Sequence, residues 1–98
     1  MAPEPYLGTY TTYRVTLTNA NTEYSQVLNS RAARISVSAE VLTSRLRFSF
    51  TSGASGTGRI VFEGAEWVSP GFMRGDKTIY LQSPQAGTVA YIEEWEAP

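Results

Sequence analysis

The sequence predicts an all-β chain, a single compact antiparallel β-sandwich or jelly-roll-like domain of about seven to eight short strands. Three observations predict it. Polar and apolar residues alternate in segments rich in Val, Ile, Thr, Tyr and Phe, turn-forming clusters divide those segments at nearly regular intervals, and no ten-residue stretch carries a helical period.

Tyr10 to Thr18 sets Tyr13, Val15 and Leu17 on one side and Thr12, Arg14, Thr16 and Thr18 on the other, the pattern of a half-buried strand. Asn19-Ala20-Asn21 tolerates turn geometry, so the chain reverses or steps sideways there. Tyr24 to Leu28 reads as a short strand of poor alternation. Arg34 to Glu40 turns Ile35, Val37 and Ala39 inward and Arg34, Ser36, Ser38 and Glu40 outward. Leu46, Phe48 and Phe50 then alternate with Arg45, Arg47 and Ser49, and the short gap between these two runs predicts a hairpin. Thr51 to Gly58, Thr-Ser-Gly-Ala-Ser-Gly-Thr-Gly, reads as a mobile, solvated connection. It is no phosphate-cradling loop, because the Gly-Lys-Ser/Thr ending is missing and Gly58 is followed by Arg59 and Ile60. Arg59 to Glu63 and Glu66 to Val68 are two more short runs around Gly64. Thr78 to Ser83 and Thr88 to Trp95 flank the turn Pro84-Gln85-Ala86-Gly87 and predict a second hairpin. In the last run Val89 and Tyr91 compete with Ala90 and Ile92 for the inward face.

With 98 residues there is room for one core, assigned to residues 9–98 behind an N-terminal arm, residues 1–8, that Pro3 and Pro5 incline to an extended form. A chain this short buries roughly 60–70% of its unfolded surface, and small folds often take added stability from staples or neighbours. There is no Cys for a disulfide and no His to help hold zinc, so packing against sister subunits or a scaffold is the expected aid. Eight basic and nine acidic side chains give a formal charge of -1, no footprint for nucleic acid or anionic lipid. Lys77 is the only lysine. The arginines either form solvated strand faces or make fixed contacts with carboxylates. No secretory signal is visible in Met-Ala-Pro-Glu-Pro-Tyr-Leu-Gly, and no apolar run approaches a bilayer span.

Without His or Cys, the triad and thiol-imidazole mechanisms are excluded. Paired carboxylates remain, Glu63 with Glu66 or Glu93 with Glu94, but strand neighbours face opposite ways and a small domain has little room for a cleft. The sole aspartate, Asp76, sits in no calcium-loop pattern. No catalytic, cofactor or metal residue is therefore assigned. Trp67, Trp95 and tyrosines 6, 10, 13, 24, 80 and 91 are many polar-edged rings for one small chain, divided among core, protein interface and a carbohydrate platform. Tyr6, Tyr10, Trp67 and Trp95 are the candidate protein-interface residues, with Trp95 among Glu93, Glu94 and Glu96.

The stretch Tyr13-Arg14-Val15-Thr16-Leu17-Thr18-Asn19-Ala20-Asn21-Thr22-Glu23-Tyr24-Ser25-Gln26-Val27-Leu28 resembles the opening strands of small bacteriophage virion-associated structural proteins. Thr78-Ile79-Tyr80-Leu81-Gln82-Ser83-Pro84-Gln85-Ala86-Gly87-Thr88-Val89-Ala90-Tyr91-Ile92-Glu93-Glu94-Trp95 resembles their end, and the two cover about a third of the chain. The resemblance implies a non-enzymatic capsid decoration or cement subunit, made in the host cytoplasm and carried in the virion as a homo-oligomer. Its partners would be the major capsid protein or other virion subunits, with no nucleic acid, membrane or cofactor. The alternative, motivated by the Tyr and Trp content, is a receptor- or carbohydrate-binding β module of a phage tail or fibre.

Overall fold

The computed structural model describes residues 10–29, 32–40, 45–61, 65–69 and 77–96. Among these, eight strands form: β1 (Tyr10–Leu17), β2 (Tyr24–Leu28), β3 (Ala32–Ala39), β4 (Leu46–Ser49), β5 (Arg59–Val61), β6 (Glu66–Val68), β7 (Lys77–Gln82) and β8 (Thr88–Glu96). They make two antiparallel four-stranded sheets, ordered β1-β8-β3-β6 and β2-β7-β4-β5.

Strand 1 lies beside 8, 2 beside 7, 3 beside 6 and 4 beside 5. That is one long antiparallel ribbon rolled so that successive pairs fall alternately in the two sheets, which is jelly-roll connectivity. Two expected hairpins are overturned by it. β3 pairs with β6 and β8 while β4 pairs with β5 and β7, and β7 and β8 likewise lie in different sheets. Closeness in sequence favours neighbouring strands, but an apolar strand face is buried equally well across the core as beside its predecessor.

The turn before β8 is therefore a corner between sheets. Ser83 and Thr88 are buried, their hydroxyl oxygens lie 3.0 Å apart, and the Thr88 hydroxyl donates to the Gln85 carbonyl at 2.8 Å. Gly87 has φ +82°, and its N–H donates to the Leu17 carbonyl at 2.8 Å. The corner after β1 answers it, with Asn21 at φ 54° donating its N–H to the Ser83 carbonyl at 2.7 Å.

Leu17, Leu28, Ile35, Val37, Leu46, Phe48, Val61, Ile79, Leu81, Ala90 and Ile92 pack between the sheets. Full burial of one such large side chain stabilises by about 1.5–3 kcal/mol, enough in sum to set which face of every strand points inward. The inward face of β8 is Thr88, Ala90, Ile92, Glu94 and Glu96. Val89, Tyr91, Glu93 and Trp95 point outward because Ala90 and Ile92 stand opposite Val15 and Tyr13 of β1, and Ala39 and Val37 of β3.

Thr51 to Gly58, expected as a solvated connection, is exposed over most of its length, with Ser55 the exception. One turn of 3-10 helix spans Ser55–Thr57, and Ser55 is fully buried. The expected arm, residues 1–8, lies outside the described residues, as do Tyr6, Glu63 and Asp76.

Candidate functional site

The outward face of the β1-β8-β3-β6 sheet carries the first candidate surface. Antiparallel register sets Tyr10 and Arg34 directly across from Trp95 on its two sides. Arg34 belongs to the unbroken β3–β8 register that runs to Ala39, and a one-residue slip beyond it sets Ala32 opposite Glu96. Two of the four candidate interface residues, Tyr10 and Trp95, thus share one row.

Further along this face Arg14 grips Glu40 in a fork, donating from Nε to Oε2 at 2.9 Å and from an η nitrogen to Oε1 at 2.7 Å. Both side chains are well exposed, so the pair adds at most about 1 kcal/mol and chiefly fixes where its charges sit. Between the two halves, the Ser36 hydroxyl donates to Glu93 Oε1 at 3.0 Å. Glu93 thus lies on the outer face while Glu94 lies inside, the opposition expected of strand neighbours.

Trp67 belongs elsewhere. It stands across from Val37 on the inward face of edge strand β6 and packs on the core. Its ring centroid is 4.9 Å from Phe48 and 6.2 Å from Phe50, while Phe48 and Phe50 are 6.0 Å apart edge to face. The Arg59 guanidinium lies over the indole at 5.8 Å. Together with Ser49, Thr57 and Gly58 these residues line an open groove of about 600 Å³ where β4, β5 and β6 meet. Phe50 remains 39% exposed there, a ring face available to a partner. Tyr10, Trp95 and Trp67 are therefore not one surface but two.

Gly58 lets the groove form. Its φ of -78° and ψ of -172° suit any residue, but a Cβ there would meet the Phe48 carbonyl oxygen at 2.1 Å. The loop before it is clamped by Glu23. That carboxylate accepts the Gly53 N–H at 2.9 Å, the Ser55 N–H at 3.2 Å and the Ser55 hydroxyl at 2.6 Å, with Gln82 Oε1 2.9 Å from the same Oγ. Hydrogen bonds from the Ser55 hydroxyl and the Gly53 N–H hold the Glu23 carboxyl below its ordinary value, against a smaller opposing effect of burial.

At the far end of the inward β8 face, Glu94 has no exposed surface. Its Oε1 accepts the Tyr13 hydroxyl at 2.7 Å and its Oε2 the Asn29 N–H at 3.1 Å. Burial, then the hydrogen bond and charge of Glu94, then the charge of Glu96, push the Tyr13 phenol up to about 12. Among the described residues, no three His, Cys, Asp or Glu side chains gather as metal ligands would.

The groove and the Glu94 and Glu23 clamps had only partial signals in sequence. Phe48 and Phe50 two residues apart announce adjacent rings on one face, yet nothing marks Arg59 as their neighbour. Compared with protein-family models, curated proteins and solved structures, the chain matches none.

Proposed function

We propose that this chain is a non-enzymatic virion structural protein, a capsid decoration or cement subunit that binds the head shell through the outer face of the β1-β8-β3-β6 sheet. The observation that carries the reading is the Tyr10, Trp95, Arg34 row. Trp, Tyr and Arg are the residues that dominate binding at protein interfaces, and here register sets all three in one row across three adjacent strands, at one end of the sheet. Of the three, Trp95 falls within the terminal segments that resemble virion proteins, at the end of the second. Jelly rolls serve in both capsid and lectin domains, so the fold agrees with the reading by analogy only.

Binding of many copies to a symmetric shell adds contacts that free capsomers lack and raises shell stability by mass action. The major capsid protein or another virion subunit is the partner, and the subunit is made in the host cytoplasm. Co-sedimentation with head shells tests it: saturable pelleting at a fixed ratio to capsid protein is expected, and a chain that stays in the supernatant at every concentration overturns it.

A second reading rests on a different observation, the exposed Phe50 ring beside Trp67 in the groove. Flat rings flanked by hydroxyls suit a sugar face, as in a receptor- or carbohydrate-binding module of a tail or fibre. A glycan array with the Phe50→Ala chain as control separates the two, since the decoration reading expects no glycan signal that depends on Phe50.

A further inference from the structure

Arg59 caps the aromatic groove, yet among the described residues no carboxylate pairs with it. A cation over an indole, the exposed Phe50 ring and an open trough make a receptor for a chain segment that is apolar, preformed and acidic. Proline-rich segments fit aromatic-lined grooves because their extended helix is already ordered before binding. The sequence itself contains one, Ala2-Pro3-Glu4-Pro5-Tyr6, in which the acid sits between two prolines.

We propose that the groove of Phe50, Trp67 and Arg59 receives residues 1–8 of a second copy of this chain, with the prolines against the Phe50 and Trp67 rings and Glu4 paired to Arg59. This is independent of shell binding and gives the chain its own route to a homo-oligomer.

Reach decides between a neighbour's segment and the chain's own. β1 and β6 are opposite edges of their sheet, three strand spacings or roughly 14 Å apart. Trp67 stands level with Tyr13, three residues or about 10 Å along from Tyr10. The straight line from Tyr10 to the groove is thus roughly 17 Å and runs through the body of the sheet. Even fully extended, at about 3.5 Å per residue, six residues carry Glu4 no more than about 21 Å from Tyr10, too little for the longer path around the surface. A segment entering from a neighbour has no such limit.

The test uses the full chain, whose lack of cysteine makes introduced thiols unambiguous. Chains carrying Thr57→Cys, at the groove, are mixed with chains carrying Ala2→Cys or Tyr6→Cys, which flank Glu4, and oxidised mildly. Mixed disulfides above the random proportion in at least one mixture are expected, lowered roughly five- to tenfold by Arg59→Glu and restored when Glu4→Arg is combined with it. Thr57 and Arg59 are exposed, so unchanged melting temperatures will verify the fold. Random pairing in both mixtures overturns the proposal, as does an intramolecular link in a doubly substituted chain with no cross-chain product, or a charge swap that restores nothing. None of these readouts involves shells, so failure here leaves the decoration reading to its own test.

Discussion

The Tyr13 hydroxyl and the Glu94 carboxylate meet at 2.7 Å across β1 and β8, and Glu94 is sealed from solvent. An acid sealed inside a sheet sandwich is costly unless its oxygens are bonded, and here Tyr13 and the Asn29 N–H each take one. Tyr13→Phe removes a donor from a buried charged group and is expected to destabilise the domain by about 1–3 kcal/mol in urea unfolding. The same contact predicts an alkaline limb. A phenol raised from 10.0 to about 12 favours the folded state fully below pH 10, and that contribution disappears as pH rises through 12. Wild-type stability should therefore fall more steeply between pH 10 and 12 than that of Tyr13→Phe; equal slopes would show that Tyr13 is not responsible.

Glu23 works in the opposite direction. Its carboxyl is depressed below the ordinary 4.5, so it stabilises the loop above that pH, and the effect is lost as acid protonates it in the folded state. Amide exchange at Gly53 and Ser55 should be faster in Glu23→Gln than in wild type at neutral pH. The two chains should converge once the pH falls below the folded value; a difference that persists in acid would remove the charge from the explanation.

Gly58→Ala tests close approach rather than backbone strain, because only the 2.1 Å contact with the Phe48 carbonyl forbids a side chain. Overpacking against backbone that cannot swing away predicts a loss of about 1–3 kcal/mol or more in thermal or urea unfolding. A neutral result would mean that β4 and the start of β5 shift freely.

The two tryptophans should separate. Trp67→Ala empties part of the core margin and is expected to cost about 2–4 kcal/mol, below the full range for a completely buried ring. Trp95→Ala lies on the outer face and should stay within about 1 kcal/mol. Reversal of that order by urea unfolding would exchange their roles.

Most strands were legible because the pleat writes itself into sequence at period two, as in Ile35, Val37 and Ala39 against Arg34, Ser36 and Ser38. Partnership was not. The faces of β3 and β4, and of β7 and β8, are the same whether the strands lie side by side or across the core, so short connections suggested hairpins where the chain changes sheet. The inward face of β8 was open for a related reason, both of its alternations being apolar, and its two central neighbours decided it. Ser55 was read as solvated because the group that buries and bonds it, Glu23, lies 32 residues upstream. Of the candidate surface, the ring-bearing residues could be found, but that Trp95 shares a row with Tyr10 while Trp67 turns to the core depends on register.

The contact role is tested most directly by pelleting the full chain with head shells beside two outer-face variants, Trp95→Ala and Arg34→Glu. Wild type should saturate the shells while each folded variant loses roughly tenfold or more in affinity, the cost of about 1.4 kcal/mol or greater expected of an interface anchor. Wild type that never pellets, or variants that bind as it does, would contradict the account.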